Sequence, residues 1–199
     1  MNVLVACEFS GVVRDAFRAR GHTAWSCDLL PCDVDSTWHF QENIESVLHM
    51  TTTHWDLMIA HPPCTYLCSS GLHWNKRVEG RQAKTEEALS FVQLLLDAEI
   101  PKIALENPVG CISSRIRKPN QTIQPWQFGH PESKGTCLWL KNLPKLEPTN
   151  ILPLPASGRW GNMTPSGQNK LGPSQDRWKL RAKTYQGIAD AMASQWGVL

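Results

Sequence analysis

A cysteine that directly follows two prolines is the residue of this sequence best suited to nucleophilic chemistry. Pro62 and Pro63 end the apolar run 56–60, because proline cannot donate a ladder hydrogen bond and cannot continue a central strand. Cys64 is therefore expected on a rigid, exposed turn, where a thiolate can reach a substrate. The alternative is a small buried packing residue, the usual role of a lone cysteine. The two prolines and the polar neighbours favour the nucleophile.

A carboxylate at the end of another short apolar run is the natural partner of this thiol. Glu106 follows the run 103–105 and precedes Asn107 and Pro108. Partial loss of hydration at such a position is expected to raise the pKa of the carboxyl group. A thiolate that adds to a ring carbon needs a nearby acid, which stabilises the charge that develops on the heterocycle. Cys64 and Glu106 together therefore indicate covalent chemistry on a ring, although an ordinary loop carboxylate is the alternative for Glu106 alone.

The first polar loop and the end of the second apolar run indicate a nucleoside cofactor. The loop 8–11 follows the run 3–6 but lacks the full glycine pattern of dinucleotide-binding proteins. Asp28 follows the run 23–27, at the position where a ribose hydroxyl is bound in nucleoside-binding sheets. These features point to an adenosine-type cofactor without distinguishing which one.

The elements that must position these residues alternate between short strands and helices. Buried strands are predicted at 3–6, 23–27, 56–60 and 103–105, and helices at 12–20, from a cap at Thr85, and at 187–196. The helix capped by Thr85 has an apolar face made of Ala88, Leu89, Val92, Leu95 and Leu96. This order predicts an α/β fold, doubly wound around a mostly parallel sheet. Ligands bind beyond the carboxyl ends of such strands. We therefore expect one rim to hold Ser10-Gly11, Asp28, His61 to Cys64, and Glu106-Asn107.

Length and composition indicate a single catalytic domain over residues 1–199. The chain has 41% hydrophobic and 19% charged residues, enough to bury one full core. The stretch 150–180, rich in Pro, Gly, Ser and Asn, is predicted to be a reduced, loop-like substrate-recognition insertion. No apolar run approaches the ~20 residues of a membrane span, and no signal peptide is recognisable. We therefore expect no membrane partner and a cytoplasmic location.

The seven cysteines and the basic residues bear on whether the chain binds a metal or a nucleic acid. An odd number of cysteines without zinc-type spacing indicates free thiols and no metal site. The formal net charge of only +2 does not decide the partner. Basic residues interleaved with Trp160 and Trp178 are candidate phosphate contacts, namely Arg159, Lys170, Arg177, Lys179 and Arg181. A solvated basic loop is the alternative for any one of them.

The candidate residues follow one another in a characteristic order: Phe9-Ser10-Gly11, Asp28, Pro62-Pro63-Cys64, Glu106-Asn107 and a terminal helix. This order resembles the cytosine-5 DNA methyltransferases, and especially their short, phage-type members. The resemblance covers residues 3–105 and the end of the chain, and its most specific element is Pro-Pro-Cys followed by Glu-Asn. It implies the Rossmann-like fold of S-adenosylmethionine-dependent methyltransferases and, for a phage-encoded chain, a location in the bacterial host cytoplasm.

The resemblance implies S-adenosylmethionine as the cofactor. Asp28 would bind the ribose hydroxyls, with Leu29 beside the adenine. Asn43 stands where the family commonly has an aspartate against the adenine amine. The residues implied to contact the cofactor are Phe9, Ser10, Gly11, Val12, Asp28, Leu29, Asn43, Ile44, Pro63, Thr184 and Tyr185.

The resemblance also implies covalent catalysis on cytosine in DNA. Cys64 would add to carbon-6 of the base while Glu106 hydrogen-bonds the ring nitrogen and the amino group. Carbon-5 would then attack the sulfonium methyl group, and loss of the carbon-5 proton and of Cys64 would restore the ring. The DNA would be single-stranded, or a duplex whose target base is flipped out of the stack. The expected substrate contacts are Asn107, Lys134, Arg159, Arg177 and Arg181, and the oligomeric state is open.

The segment 128–136 departs from the family. It resembles the family's aromatic-Gly-x-Pro-Gln-x-Arg-x-Arg segment, whose last arginine contacts the base carbonyl. That arginine is Thr136 here, so Lys134, Arg115 or Arg117 would have to supply the contact. How the base is held therefore stays open.

Other functions are compatible with the same residues. The same chemistry could act on a free pyrimidine nucleotide such as dCMP, which the short recognition region favours and the basic loop disfavours. A carboxylated or otherwise modified S-adenosylmethionine would transfer a different group through the same thiolate. A catalytically silent DNA-binding homologue is compatible with Thr136, although Cys64 and Glu106 are retained. A nicotinamide-dependent oxidoreductase is disfavoured by the incomplete glycine pattern.

Overall fold

Seven strands form a sheet in the computed structural model, which describes residues 1–50, 52–167 and 169–199. In chain order they are β1 Asn2–Ala6, β2 Thr23–Asp28, β3 His39–Gln41, β4 Leu57–Ala60, β5 Lys102–Pro108, β6 Gln121–Ile123 and β7 Thr136–Lys141. Their order across the sheet is β3-β2-β1-β4-β5-β7-β6. Strand β7 runs antiparallel to β5 and β6, and the other neighbours are parallel. The predicted α/β fold with a mostly parallel, Rossmann-like sheet is confirmed.

Helices cover both faces of this sheet, because successive strand residues point to opposite sides. On one face Val3 and Val5 pack against α1 and α7, which bury Phe17 and Trp196 completely. On the other face Leu4 packs in a second cluster with α2, α4 and α5. The helices are α1 Val12–Arg18, α2 Ile44–Leu48, α3 Ser69–Leu72, α4 Arg81–Asp97, α5 Ile112–Arg115, α6 Arg177–Ala182 and α7 Gln186–Trp196.

Thr85 does not cap α4, and that prediction is wrong. The helix begins earlier, after Gly80, and Thr85 lies in its second turn. The Thr85 hydroxyl is buried, donates to the carbonyl of Tyr66 at 3.1 Å and accepts from the side-chain amide of Asn75 at 2.9 Å. Thr85 therefore ties the segment that follows β4 to α4.

Strand β5 is longer than the run 103–105 that predicted it. It continues to Pro108, because the antiparallel β7 pairs with its last three residues, including Glu106 with Leu138 and Asn107 with Cys137. Strands β3 and β6 and helices α2, α3, α5 and α6 have no counterpart in the sequence-based prediction. All of them are short, so their apolar periodicity is too brief to recognise.

The stretch 150–180 contains little regular structure. Its described residues form turns up to the start of α6, with a bridge between Met163 and Asn169. A second bridge joins Asn150 to Phe128. The role of this stretch as a substrate-recognition insertion within one domain stays a prediction.

Gly110 allows close approach between the end of β5 and the segment that follows Cys64. A Cβ atom at this position would overlap the carbonyl oxygen of Leu67 and lie 2.9 Å from the Cα of Cys68. We predict that Gly110→Ala lowers the free energy of unfolding by about 1–3 kcal/mol, because backbone atoms on both sides must shift. Thermal or denaturant unfolding measures the change.

Gly172→Ala is the matched control, since nothing lies within 4 Å of a Cβ added there. Its unfolding midpoint should equal that of the wild type. An equally unchanged midpoint for Gly110→Ala would contradict this close packing.

Candidate active site

The turn that carries Cys64 is held by the two strands that flank β4. The backbone N–H of His61 donates to the carbonyl of Ala6 at 2.9 Å, and the side-chain amide of Asn107 donates to the carbonyl of Pro62 at 2.7 Å. Asn107 is buried, so its hydrogen bond is shielded from water. Cys64 is exposed. The turn is therefore fixed at its base, and Cys64 is accessible at its surface.

Glu106 forms a hydrogen-bonded pair with His61. The register of β4 with β5 pairs Ala60 with Leu105, so the residues that follow them are neighbours. The Nδ1 atom of His61 lies 3.0 Å from Oε2 of Glu106, and both side chains are largely buried. This contact joins the predicted acid to His61, which the sequence placed at the same rim without a role.

The pKa of Glu106 lies below its ordinary value. Burial alone would raise this pKa, but the hydrogen bond from His61 and the positive charge of Lys134 outweigh burial. The predicted increase in the pKa is therefore wrong, because it considered loss of hydration without the neighbouring donor. Glu106 is ionised at neutral pH in the free protein.

A second buried carboxyl group, Glu8, lies at the same rim. Its two oxygens accept hydrogen bonds from the backbone N–H groups of Val13 at 2.7 Å and Arg14 at 3.2 Å. Burial raises the pKa of Glu8, partly opposed by nearby His61 and by these two N–H donors. His61 is thus within electrostatic reach of two carboxyl groups, and its Nε2 atom is buried without a hydrogen-bond partner among the described residues.

The Cys64 thiol has a second thiol as its neighbour. The backbone N–H of Cys68 donates to the carbonyl of Cys64 at 3.0 Å. The nearby Cys68 thiol, partial burial and the charge of Glu106 raise the pKa of Cys64. The Cys64 thiol, with further donors from Ser70 and Gly71, outweighs burial and lowers the pKa of Cys68.

A cavity of about 590 Å³ adjoins this turn. Its volume falls within the roughly 300–1,000 Å³ that small-molecule sites occupy. The predicted cofactor residues that line it are Asp28, Leu29, Asn43, Ile44 and Pro63. The lining also includes residues that were not predicted, among them Cys7, Glu42, Tyr66, Lys84 and Phe91. Since Pro63 precedes Cys64, the cavity and the nucleophile's turn share a wall.

The side chains that line this cavity suit a nucleoside. Asp28 and Glu42 provide carboxylate acceptors for hydroxyl groups, while Ile44 and Phe91 provide apolar surface for a planar ring. The Asp28 carboxylate accepts the backbone N–H of Leu30 at 3.0 Å, which orients it. Burial raises the pKa of Asp28, opposed by this hydrogen bond.

The other predicted cofactor residues lie outside the lining of this cavity. Phe9, Ser10, Gly11 and Val12 span the loop between β1 and α1 and the first residue of α1. Gly11 has a positive φ of 74°, and a Cβ there would overlap the guanidinium of Arg14, so the loop requires glycine.

Thr184 and Tyr185 directly precede α7. The Tyr185 hydroxyl donates to a carboxylate oxygen of Glu132 at 2.5 Å, and burial, with this hydrogen bond, raises its pKa. Cofactor contacts at Thr184, Tyr185 and the loop 8–11 stay predictions.

Two predicted substrate contacts, Lys134 and Arg181, lie beside the thiols and Glu106. The Nζ atom of Lys134 donates to the carbonyl of Arg181 at 2.9 Å. The charge of Lys134 acts on Glu106, and the charge of Arg181 acts on Cys64. These two side chains therefore supply positive charge at the candidate active site.

Thr136 stands where the family that the sequence resembles has an arginine. It is buried in β7 and donates its hydroxyl hydrogen to the carbonyl of Lys134 at 3.1 Å. Arg115 forms two hydrogen bonds with Glu86, the shorter at 2.8 Å. Arg117 donates to the carbonyl of Leu140 at 3.2 Å and to Asn120 at 2.8 Å. Of the three cations considered for the missing contact, Lys134 is the one whose charge reaches Glu106.

The remaining basic candidates lie in and after the stretch 150–180. Arg159 is exposed, whereas Arg177 is half-buried at the start of α6, with an Nε atom that lacks a partner among the described residues. Trp160 is buried, but Trp178 is half-exposed and its ring lies 5.8 Å from that of Phe9. Helix α6 thus lies over the loop 8–11, with Trp178 available for stacking.

Sequence reasoning placed His61 at the rim and Glu8 in the first polar loop without giving either a role, and it missed Cys68. His61 and Glu8 each follow a predicted buried strand, which is the signal that could have identified them. Cys68 comes four residues after Cys64, a spacing that places two side chains on one side of a helical turn.

The described residues hold no group of three or more His, Cys, Asp or Glu side chains arranged to bind a metal ion. Across the same 1–50, 52–167 and 169–199 ranges, the helices are too short or too polar to cross a membrane.

Comparisons with known proteins find matches among solved structures. No protein-family model matches the sequence, and no curated protein matches it. Among solved structures, the chain is similar to a candidate DNA modification methyltransferase encoded within a prophage of E. coli, with 17% identity and a TM-score of 0.47. The match covers 79% of this chain and 53% of that one, so the chain spans about half the length of this neighbour.

Removal of His61 should reverse the pKa shift of Glu106. In His61→Ala the opposing hydrogen bond is lost while much of the burial remains, so the pKa of Glu106 should rise above its ordinary value. Carboxyl-carbon NMR titration of the two proteins measures the change. His49→Ala is the control, since His49 is exposed at the C-terminal end of α2.

The same shift determines how stability depends on pH. Because the folded-state pKa is lowered, ionised Glu106 stabilises the wild type above the ordinary pKa, and this contribution is lost as pH falls towards the lowered value. In His61→Ala the free energy of unfolding should not show this decrease as pH falls, because the pKa of Glu106 is no longer lowered. A wild-type titration curve that His61→Ala leaves unchanged would contradict the role of the hydrogen bond.

Proposed function

We propose that this chain transfers a methyl group from S-adenosylmethionine to carbon-5 of cytosine in DNA, with Cys64 as the covalent nucleophile. The observation that carries the proposal is the juxtaposition of an exposed thiol and a buried carboxyl group, Cys64 and Glu106, at the ends of neighbouring strands. Pro63 joins the nucleophile's turn to a cavity of cofactor size. Nucleophile, acid and cofactor cavity therefore adjoin one another.

S-adenosylmethionine, when bound, supplies the electrophilic methyl group. Asp28 and Glu42 would bind its ribose hydroxyls, and Ile44 and Phe91 would contact its adenine. Asn43 would approach the adenine with its amide nitrogen, since its amide oxygen already accepts the backbone N–H of Glu45 at 3.1 Å. Leu29 and Pro63, which line the cavity, are further proposed contacts. The other proposed contacts rest on the family pattern alone and are Phe9, Ser10, Gly11, Val12, Thr184 and Tyr185.

Cys64 would add to carbon-6 of the base while Glu106 donates a hydrogen bond to the ring nitrogen. Glu106 must gain a proton to do so, because its lowered pKa leaves it ionised in the free protein. A base that covers Glu106 removes the remaining water, and further burial favours the protonated acid. His61, 3.0 Å away, is placed to exchange a proton with it. The proposed mechanism thus couples proton uptake by Glu106 to substrate binding.

DNA is the proposed substrate because positive charge surrounds the nucleophile. Lys134 and Arg181 lie next to Glu106 and Cys64, and α6 adds Arg177 and the half-exposed Trp178. Arginine and lysine bind phosphate, and an exposed tryptophan can stack on a base. Arg159 and Asn107 complete the proposed substrate set, with Asn107 acting through the turn that it holds. A duplex would present its base by flipping.

Covalent trapping tests this proposal. DNA that carries 5-fluorocytosine should form a denaturation-resistant complex with the wild type in the presence of S-adenosylmethionine, since fluorine blocks release of Cys64. Cys64→Ser should form none, and Glu106→Gln should form it about 10²–10⁴-fold more slowly through loss of the acid. Cys32→Ser, which changes a thiol outside the site, is the matched control.

Each other outcome points to a different function. Wild-type protein that binds cofactor and DNA but is never trapped would contradict the enzymatic proposal and indicate a silent DNA-binding protein. Methyl transfer to dCMP but not to DNA would show that the substrate is a free nucleotide. A product whose mass differs from that of methylcytosine would show that the cofactor is a modified S-adenosylmethionine.

A further inference from the structure

A row of hydrogen-bonded side chains that the proposed mechanism does not use runs from α1 to the turn after β2. Its members are Arg14 on α1, Ser26 on β2 and His39 on β3, and the first two are almost completely buried. A buried guanidinium must be paired, because it loses its hydration. Arg14 donates two hydrogen bonds to the Asp15 carboxylate, at 2.7 and 3.0 Å. The charge of Arg14 is therefore balanced, and its remaining nitrogen, Nη1, reaches β2.

One carbonyl group sets the direction of every hydrogen bond in this row. The Nε2 atom of His39 lies 3.0 Å from the carbonyl oxygen of Leu30. A carbonyl only accepts, so Nε2 carries the hydrogen and Nδ1 of the neutral ring accepts. The Ser26 hydroxyl, 2.8 Å away, therefore donates to Nδ1. The Ser26 oxygen in turn accepts from Nη1 of Arg14 at 3.0 Å, so Arg14 and Ser26 hold His39 in the tautomer that donates to Leu30.

The backbone of Leu30 is held at both its N–H and its carbonyl. Its N–H donates to the Asp28 carboxylate at 3.0 Å, and its carbonyl accepts from His39. The register of β2 with β3 pairs Ser26 with His39, which brings the imidazole to this turn. Asp28 and Leu29 line the cofactor cavity. The hydrogen bond from His39 therefore orders the turn that orients the Asp28 carboxylate.

The Arg14 guanidinium also packs against the other loop that is proposed to contact the cofactor. A Cβ atom on Gly11 would lie 2.4 Å from Nη2 of Arg14. The backbone N–H of Asp33, which follows the turn after β2, donates to the carbonyl of Phe9 at 2.9 Å. The loop 8–11 and the turn after β2 thus share one support.

We propose that His39 is a positioning residue for the cofactor, which orients Asp28 towards the ribose through the backbone of Leu30. Arg14 and Ser26 fix the tautomer of His39. This inference rests on the proposed function and adds a determinant of cofactor affinity to it. None of these three side chains lines the cavity, so they act on the binding of S-adenosylmethionine and not on the transfer of its methyl group.

Variants of His39 separate cofactor binding from methyl transfer. In His39→Ala the Leu30 carbonyl loses its donor, so the Kd for S-adenosylmethionine should rise about 10-fold, the effect of about one hydrogen bond. His39→Gln should restore most of the affinity, because its amide nitrogen can occupy the place of Nε2. His39→Asn is one carbon shorter and should bind as weakly as His39→Ala. Isothermal titration calorimetry on the full chain measures these affinities.

Two further measurements distinguish positioning from a general loss of structure. Adenosine, which has the ribose but no methionine, should lose affinity by the same factor as S-adenosylmethionine. Single-turnover methyl transfer to DNA at saturating cofactor should keep the wild-type rate in all three variants. Ser194→Ala is the matched control, since it removes a hydroxyl that donates to a carbonyl within α7, and it should leave the Kd unchanged.

The outcomes separate this inference from the proposed function. An unchanged Kd in His39→Ala and His39→Asn, or a Kd in His39→Gln as high as theirs, would overturn the role of His39 alone. A wild type that binds S-adenosylmethionine but never methylates DNA would overturn the proposed function, while the affinities would still decide the role of His39. A wild type that does not bind S-adenosylmethionine would overturn both.

Discussion

The parallel pairing of β4 with β5 is the contact on which the rest of the candidate site depends. Its register places His61 beside Glu106 and Pro62 beside Asn107, and each pair is joined by a side-chain hydrogen bond. Strand β7 pairs with the other edge of β5 as far as Pro108. The acid is therefore fixed from both sides, and the turn that carries the thiol is attached to the same strand.

Burial and local donors oppose one another throughout this site. Burial alone would neutralise each carboxyl group and each thiol, because a charged group loses hydration. The hydrogen bond from His61 lowers the pKa of Glu106, and the neighbouring Cys64 thiol and Ser70 lower that of Cys68. Two backbone N–H donors partly oppose the effect of burial on the pKa of Glu8. The outcome differs from group to group, because the pKa values of Glu106 and Cys68 are lowered whereas that of Cys64 is raised. Such separation of proton affinities among adjacent groups is typical of catalytic sites.

The sequence was sufficient to predict the fold class and the rim, because both depend on local patterns. Short apolar runs that end in polar residues mark the parallel strands, and their carboxyl ends must meet at one edge. The length of β5 and the direction of the Glu106 pKa shift could not be predicted in this way. The first depends on pairing with β7, about thirty residues later, and the second on a contact with His61 across strands. The prediction that Thr85 caps α4 was wrong for a related reason. Its hydroxyl donates to the carbonyl of Tyr66, a contact between residues far apart in sequence.

The most direct test of the central claim follows the hydrogen on carbon-5 of the target base. DNA labelled with tritium at carbon-5 of cytosine is incubated with the protein and S-adenosylmethionine, and release of the label into water is compared with methyl incorporation. Attack by Cys64 and transfer to carbon-5 predict one tritium released for each methyl group gained, and neither in Cys64→Ser. Methyl incorporation without release of the label would contradict the claim, because the methyl group would then lie on an amino nitrogen or another atom.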